Sequence, residues 1–405
     1  MKSERQFDSV AVNKKAERGI RAGHPWVYGA ELVRGVPEGF ENGGLVDVLT
    51  EGGKYLGTGF YSAKSKIAVR LLSDNANERF DEAFWQRRVK YAVDYRRRVM
   101  GPDFAACRLI FGEADGFPGL TVDRYGDYLV AEVLSFGMDR VKGVVFRALL
   151  DEISGVRGIY ERNESRIRLL EGLEPGSGWA EGVPNDGRTS TTITENGLRF
   201  LVDFAGGQKT GFFLDQKYNR RAVANLASGM RVLDLCTHTG SFALNAARQG
   251  TDLVTAVDVS EPALEVARAN AALNGLEDKL KFVRADVFDY LQEAEKLPPG
   301  ERYNLIILDP PAFTKSSKTL GDARNGYREI NARAMRALGR GGYLATCSCS
   351  HFMTTDLFLD MLKTAADDAG VRLKIAEIRH QAPDHPVLLG VPESDYLKFV
   401  ICQVV

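Results

Sequence analysis

Apolar and polar residues alternate in short runs over residues 1–74, in the segments HPWVYGAEL, GGLVDVLTEGGKYLGTGFYS and KIAVRLLS. Alternation with a period of two, broken by glycine pairs, is typical of β-strands joined by turns. From about Asp81 to Met100 the apolar residues, among them Phe84 and Val89, recur instead at helical spacing. We therefore expect a small β-barrel followed by a helix.

Two further patterns divide the rest of the chain. Residues 75–190 mix strand-like segments such as YLVAEVLS with the helical segment MDRVKGVVFRALLDEI, and EPGSGWAEGVPNDGRTS is typical of a loop. After Gly229, strand-like and helical segments alternate, from RVLDLC and SFALNAARQG to YLATCSC. This alternation predicts a parallel, doubly wound α/β sheet. We predict three domains: a β-barrel (1–74), a central α+β domain (75–190) and an α/β domain (191–405).

Composition narrows the cellular setting. No stretch approaches the roughly 18 apolar residues of a membrane helix, and the N-terminal segment MKSERQFDSV lacks the apolar run of a signal peptide. The five cysteines are an odd number spread along the chain, unlike a disulfide framework. We expect a cytoplasmic protein with reduced thiols and no membrane partner.

Charge is balanced over the whole chain, with 53 Lys and Arg against 54 Asp and Glu. A nucleic-acid-binding surface would therefore be local. Residues 1–100 hold 18 Lys and Arg against 13 Asp and Glu, a net charge of +5. Within the predicted helix, Arg96, Arg97 and Arg98 would either face solvent or contact RNA phosphates, and both interpretations stay open.

Polar residues follow the first three strands of the predicted α/β sheet, where such sheets bind ligands. Asp234 ends the first strand, and Thr237 and Gly240 allow a ligand to approach the backbone closely. Asp258 ends the second strand, where a carboxylate accepts hydrogen bonds from a ribose, and Asp286 ends the third, near an adenine. The first loop is not GxGxxG, which favours S-adenosylmethionine over a nicotinamide cofactor. Simple capping of helices and turns is the remaining interpretation.

The fourth strand ends in the loop DPPAF, from Asp309 to Phe313. Two prolines stiffen this loop. An aromatic ring and a carboxyl group on a rigid loop suit a flat base, with Phe313 stacking beside Pro310 and Asp309 bonding the base edge. Because similar loops serve enzymes that methylate exocyclic amines, Asp309 alone does not select the acceptor atom.

The fifth strand, YLATCSCSHF, carries two cysteines that bear on the acceptor atom. C5 of cytosine is a poor nucleophile until a thiolate adds to C6, and a cysteine at the end of a strand beside the base loop is what that covalent route needs. Cysteine is also often a small buried apolar residue. Because Cys347, Cys349 and His351 alternate, they would share one face of an extended strand, and zinc binding is a further alternative.

Several motifs follow one another along nearly the whole chain. They are GHPWVYGAEL with GTGFYSAKSKIAVRLL, LIFGEADGFPGLTVDRYGDYLV, GGQKTGFFLDQKYNR, DPPAF, GYREIN, SCS, and APDHPV followed by YLK. Together they resemble the 23S rRNA 5-methylcytosine methyltransferases of the RlmI type. The resemblance implies an N-terminal β-barrel PUA domain, a central α+β domain and a Rossmann-like class I methyltransferase domain that binds S-adenosylmethionine.

The resemblance also implies roles for single residues. The cysteine of its SCS motif, the family nucleophile, falls on Cys349, whereas Cys347 lies in a TCS triplet that carries the nucleophile in other RNA 5-methylcytosine enzymes. The segment QKTGFFLDQ helps to close the cofactor pocket, which makes Phe213, Asp215 and Gln216 candidates.

The same resemblance implies the partners of the protein. The implied partner is RNA, namely 23S rRNA, and a homodimer is considered. Two other functions compete: methylation of an exocyclic base amine, and a non-catalytic RNA-binding assembly factor. The presence of Asp234, Asp258, Asp309 and Cys349 argues against the latter.

Overall fold

The computed structural model describes residues 7–313 and 319–405, which form two compact units. The first unit comprises the described residues up to Ile193, together with Val202–Phe212 and Pro383–Pro392. The second comprises Thr194–Leu201, Phe213–Ala382 and Glu393–Val405. The division into three domains with bounds at residues 74 and 190 stays a prediction.

The first unit begins with a six-stranded sheet. Its strands are β1 (Ser9–Val12), β2 (Trp26–Tyr28), β3 (Leu32–Arg34), β4 (Leu45–Thr50), β5 (Tyr55–Tyr61) and β6 (Ile67–Ser73), in the order β2-β6-β5-β4-β1-β3, with helix α1 (Lys14–Arg21) after β1. Only the β1–β4 pair among them is parallel. Valines of the alternating runs, including Val10, Val46 and Val69, form its core.

A five-stranded sheet follows in the same unit. It consists of β7 (Ala106–Phe111), β8 (Leu120–Tyr125), β9 (Tyr128–Val133), β10 (Gly158–Asn163) and β11 (Gly176–Trp179), in the order β11-β10-β9-β8-β7, with helices α2 (Glu82–Met100), α3 (Phe136–Glu152) and α4 (Ile167–Glu171). The prediction that the segment EPGSGWAEGVPNDGRTS is a loop is therefore partly wrong, because this segment contains β11. β11 pairs with β10, and the ring of Trp179 packs edge-on against that of Tyr160 with 5.3 Å between centroids.

The structure of helix α2 contradicts one of the predicted RNA contacts. The Asp81 side chain caps its first turn by accepting a hydrogen bond from the Phe84 backbone N–H. Arg96 is fully buried and forms a bidentate ion pair with Asp115, with nitrogen–oxygen distances of 2.5 and 2.7 Å. Its guanidinium also donates to the backbone oxygens of Arg108 and Asp384. Arg96 is therefore structural, and the expectation that it contacts RNA is wrong.

The two neighbouring arginines differ from Arg96. Arg97 is exposed and pairs with Asp94 and with Glu152, whereas Arg98 is exposed on the same helix. Both stay candidates for contact with RNA phosphates.

The second unit is built on the predicted α/β sheet. Hairpin β12 (Ser190–Glu195) and β13 (Leu198–Asp203) precedes it. The sheet contains β14 (Arg231–Leu235), β15 (Leu253–Asp258), β16 (Leu280–Arg284), β17 (Tyr303–Leu308), β18 (Leu338–Ser348), β19 (Leu373–Arg379) and β20 (Lys398–Val404). Its order is β16-β15-β14-β17-β18-β20-β19, parallel from β16 to β18, with β20 antiparallel to both of its neighbours. The predicted doubly wound sheet is confirmed, with an antiparallel edge that the alternation did not predict.

The helices of this unit are α5 (Lys217–Ala224), α6 (Ser241–Arg248), α7 (Glu261–Asn274), α8 (Val287–Ala294), α9 (Leu320–Ala337) and α10 (Thr355–Ala369). Apolar residues of the sheet, α8, α9 and α10 form a large core that includes Ile306, Tyr327 and Phe358. Because the parallel strands run the same way, Asp234, Asp258 and the residues that follow β17 and β18 come to one edge. Within the described residues, none of the helices has the length and apolar character needed to cross a membrane.

The buried pair of Arg96 and Asp115 gives a test of this assignment. We expect Arg96→Ala to lower the free energy of unfolding by about 3 kcal/mol, because it leaves the Asp115 charge buried without its partner. Arg98→Ala, on the exposed side of the same helix, should change it by less than about 0.5 kcal/mol. Chemical denaturation monitored by circular dichroism would measure both, and equal effects would contradict the structural role of Arg96.

Candidate active site

Asp234 is the buried acid at the end of β14. It is 1% exposed, and its Oδ2 accepts hydrogen bonds from the Thr237 hydroxyl (2.5 Å) and the Ala243 backbone N–H (2.9 Å). Burial raises the pKa of Asp234 to about 7, although the bond from Thr237 opposes this rise. Its Oδ1 is buried and has no hydrogen-bond partner within the part of the chain that the structure describes. An acceptor of this kind fits a site built for a polar ligand.

The loop after β14 turns sharply at this edge. Cys236 and His238 have φ of 59° and 51°, and Gly240 has φ of 81°. A Cβ at Gly240 would lie 2.8 Å from Leu244 Cδ1 and 3.1 Å from the Ala267 Cβ, so only glycine fits the start of α6. The loop thereby makes a tight turn at the sheet edge, between the end of β14 and the start of α6. The contact of this loop with a cofactor stays a prediction.

Asp258 and Asp286 end the next two strands in different settings. Asp258 is partly buried and accepts hydrogen bonds from the backbone N–H groups of His238 and Ser260, both at 2.9 Å. The first of these bonds joins the ends of β14 and β15. Asp286 is exposed and caps α8 through the Phe288 N–H. Helix capping accounts for the position of Asp286, and its contact with a cofactor stays a prediction.

The segment from Phe213 to Gln216 packs beside the loop that follows β14. The ring of Phe213 lies edge-on to that of His238 with 5.3 Å between centroids, and Asp215 accepts a 2.6 Å hydrogen bond from the Tyr396 hydroxyl. The structure therefore brings the segment to the same edge of the sheet as Asp258.

Arg220 fixes that segment and was not anticipated from the sequence. It is 1% exposed, forms a bidentate ion pair with Glu195, and donates a 2.7 Å hydrogen bond to the Phe213 carbonyl. The sequence offered one signal, an arginine within the motif GGQKTGFFLDQKYNR, but its partner lies 25 residues earlier on β12.

Asp309, after β17, connects the segment to the cysteine strand. Its Oδ1 accepts a 2.8 Å hydrogen bond from the Cys347 thiol, and its Oδ2 lies 3.4 Å from the Gln216 side-chain nitrogen. Burial raises the pKa of Asp309 to about 6, although the bond from Cys347 opposes this rise. Near neutral pH this carboxyl group therefore exchanges a proton readily, as a group that binds and protonates a base must.

The rest of the base loop is short and stiff. Pro310 is buried, and Phe313 is partly buried with its ring edge-on to that of Tyr327, 4.6 Å between centroids. The stacking of Phe313 on a base stays a prediction.

The two cysteines of β18 occupy different environments. Cys347 is fully buried, and burial together with the Asp309 charge raises the pKa of its thiol. It also accepts a 3.4 Å hydrogen bond from Gln216. Cys349 is only partly buried and lies just beyond β18, which ends at Ser348. A protonated, enclosed thiol is a poor nucleophile, so the geometry favours Cys349 over Cys347.

The end of β18 also corrects the predicted alternation. Because the strand stops at Ser348, Cys347 and Cys349 do not share one face of an extended strand with His351. His351 is exposed, with its ring 3.9 Å from that of Phe352. Within residues 7–313 and 319–405, no group of three His, Cys, Asp or Glu side chains is placed to hold a metal ion.

Comparison with known proteins identifies the families that the chain matches. Residues 166–392 match the family described as S-adenosylmethionine-dependent methyltransferase, and residues 10–74 match the PUA-like domain. The chain is 39% identical over 402 residues to ribosomal RNA large subunit methyltransferase I of Klebsiella pneumoniae (strain 342), covering 98% of each protein. It is 37% identical to the protein of the same name from Alteromonas mediterranea, again covering 98% of each.

Solved structures show the same fold. An S-adenosylmethionine-dependent methyltransferase from Streptococcus mutans aligns with a TM-score of 0.82 at 22% identity, covering 98% of this chain and 100% of that one. The methyltransferase SMU.776, crystallised with SAH, aligns with a TM-score of 0.83 at 22% identity over the same shares. The fold extends over nearly the whole chain.

Because its pKa is raised, buried Asp234 should lower the stability of the folded protein by an amount that depends on pH. An unfolded chain releases this proton near the ordinary value of 3.8, whereas the folded protein holds it to about 7. The folded state thus binds more protons between these values and loses stability as the pH rises through them. Asp234→Asn keeps an acceptor oxygen but cannot ionise, so it should raise the melting temperature more at pH 8 than at pH 4.5. Thermal melts at both pH values, with the exposed Asp356→Asn as control, would show this difference, and a pH-independent effect would contradict it.

Proposed function

Because this chain belongs to the family of S-adenosylmethionine-dependent methyltransferases that includes ribosomal RNA large subunit methyltransferase I, we propose that it methylates C5 of a cytosine in 23S rRNA. The observation that carries the proposal is the unequal pair of thiols. Cys347 is enclosed and bonded to Asp309, whereas Cys349 lies just beyond β18 and is partly accessible. Cys347 helps to hold the acid of the base loop, and Cys349 is the thiol with partial access to solvent.

The reaction needs a thiolate and a proton donor on opposite parts of the base. When bound, S-adenosylmethionine supplies an electrophilic methyl group. Cys349 adds to C6 of the cytosine, and negative charge develops toward N3 of the ring. Asp309, whose pKa is raised to about 6 by burial, donates a hydrogen bond or a proton there, and C5 becomes nucleophilic. Once C5 carries the methyl group, its proton passes to solvent and the bond from C6 to sulfur breaks, which restores the thiolate. A proton given to N3 returns to Asp309.

The residues at the ends of β14 and β15 fit the cofactor. Asp258 keeps acceptor capacity for ribose hydroxyls beside its two backbone hydrogen bonds. Among the described residues Asp234 Oδ1 has no hydrogen-bond partner, and this acceptor together with the sharp turn at Gly240 fits a ligand with polar groups that lies close to the backbone. Phe213 and Gln216 would line the same pocket.

The RNA partner is supported by the names of the relatives and by the PUA-like match over residues 10–74. With Arg96 excluded, Arg97 and Arg98 remain as phosphate contacts on α2. An rRNA substrate would place the protein in the cytoplasm. The homodimer stays a prediction.

Cofactor binding tests the role of Asp258. Asp258→Ala should weaken binding of S-adenosylmethionine by about 1.5–3 kcal/mol, because a charged acceptor of the ribose hydroxyls is lost. Asp252→Ala removes an exposed carboxylate just before the opposite end of the same strand and should leave the affinity unchanged. Isothermal titration calorimetry measures both, and unchanged affinity in Asp258→Ala would remove this residue from the site.

Trapping tests the nucleophile. RNA that contains 5-fluorocytosine cannot lose a C5 proton, so the enzyme should stall as a covalent adduct. We expect the adduct to survive denaturing electrophoresis in the wild type and in Cys347→Ala, and to be absent in Cys349→Ala and Cys349→Ser. Cofactor binding by both Cys349 variants should be retained and serves as the control for folding.

Two other outcomes would decide against this mechanism. Loss of the adduct only in Cys347→Ala would make Cys347 the nucleophile. Methyl transfer to normal RNA without any adduct on the fluorinated RNA would favour methylation of an exocyclic amine, with Asp309 and Phe313 binding the base.

A further inference from the structure

A buried lysine lies next to the reactive loop and has no role in the mechanism described above. Lys398 is the first residue of β20 and pairs in register with Ser348, the last residue of β18. It is 1% exposed. Among the described residues, no Asp or Glu forms an ion pair with its amine, whose hydrogen bonds go to the backbone oxygens of Ser350 (2.6 Å) and Tyr396 (3.0 Å).

These bonds place the amine beside Cys349. Ser350 directly follows Cys349, so the bond to its carbonyl fixes the turn that presents the thiol. The charge of Lys398 interacts with those of Cys349 and Cys347 and, more strongly, with that of Asp395.

Other groups lie in the same neighbourhood. The charge of Lys398 also acts on His351, and the Tyr327 hydroxyl interacts with both thiols. Burial lowers the pKa of Lys398 to about 8, while the charges of Asp395 and of the thiols act in the opposite direction. At pH 7 the amine is therefore still mostly a cation.

A cation buried without an ion-pair partner is costly unless an anion forms next to it. We propose that Lys398 is the counter-ion of the Cys349 thiolate and holds the loop that presents it. This inference rests on the proposed function, because it assumes that Cys349 is the nucleophile. Lys398 acts through Cys349 and is a positioning residue rather than a catalytic one.

The ammonium group would act at both ends of the covalent cycle. Cys349 first loses its proton to water, and the resulting thiolate is stabilised by Lys398, which keeps its own three protons. The sulfur electron pair then forms the bond to C6. When the C5 proton has left and that bond breaks, the electron pair returns to sulfur, again beside the ammonium group. A stabilised thiolate is also the better leaving group.

Cys347 would not respond in the same way. Its thiol donates to Asp309, and burial with that negative charge raises the pKa of the thiol. The same lysine would therefore distinguish the two cysteines, since Cys349 lies in the loop that Lys398 fixes and Cys347 lies against a carboxylate.

The test is the pH dependence of alkylation of Cys349 by iodoacetamide, followed by peptide mass spectrometry on the full-length protein. We expect the wild-type rate to titrate with a midpoint below the ordinary cysteine value of about 8.5. In Lys398→Met the midpoint should rise by at least about one unit, which lowers the rate at pH 7 about tenfold. Lys398→Arg should retain a low midpoint. Lys374→Met, which removes an exposed lysine from neighbouring β19, is the matched control and should equal the wild type.

Three results would overturn the inference. The first is an alkylation midpoint of wild-type Cys349 at or above the ordinary cysteine value. This result needs no variant at position 398, so the inference can be tested even if Lys398→Met does not fold. The second is an unchanged midpoint in folded Lys398→Met. A shift in His351→Gln that is absent in Lys398→Met would assign the effect to the histidine.

Failure of the proposed function gives a different pattern. One case is that the alkylation midpoint of wild-type Cys349 is low and rises in Lys398→Met, but no adduct forms with fluorinated RNA. The interaction between Lys398 and the thiolate is then supported, and the C5 mechanism is contradicted. If the adduct forms and the alkylation midpoint is unchanged in Lys398→Met, only the inference about the lysine is contradicted.

Discussion

The hydrogen bond from the Cys347 thiol to Asp309 is the interaction on which the chemistry of this site depends. At 2.8 Å it joins the ends of β17 and β18 and encloses one thiol against one carboxyl group. It fixes the acid of the base loop and withdraws Cys347 from reaction. Because β18 ends one residue later, the next cysteine lies beyond the strand with partial access to solvent. The difference between the two thiols follows from where one strand stops.

The same edge concentrates negative charge in a buried setting. Burial raises the pKa values of Asp234 and Asp309, and the two carboxylates repel each other. Fixed hydrogen-bond donors offset this charge. Backbone N–H groups bond to Asp258, the Thr237 hydroxyl bonds to Asp234, and the Tyr396 hydroxyl bonds to Asp215. The buried cations Arg220 and Lys398 lie in the same region. Such preorganised groups cost stability in the free protein and favour the charges that develop on a bound base.

Local periodicity predicted much of the fold but not its long-range pairs. Alternating strands and helices were enough to place Asp234, Asp258 and Asp309 at strand ends, and the resemblance to a family selected Cys349. Arg96 was misassigned although a signal was present, since it lies at helical spacing with the buried residues Val93 and Met100. Its partner Asp115 is 19 residues away, and no local pattern identifies it. Lys398 carried a similar signal, a lysine at the head of the apolar strand KFVICQV, but only the pairing with β18 brings it to Cys349.

Release of the hydrogen at C5 of the target cytosine reports whether that carbon accepts the methyl group. Large-subunit rRNA that lacks the modification and carries tritium at C5 of its cytosines would be incubated with the enzyme and S-adenosylmethionine. If C5 is the acceptor, we expect one tritium to be released to water for each methyl group transferred, with neither event in Cys349→Ala. Methyl transfer without release of tritium would contradict this expectation, because methylation of an exocyclic amine leaves the C5 hydrogen in place.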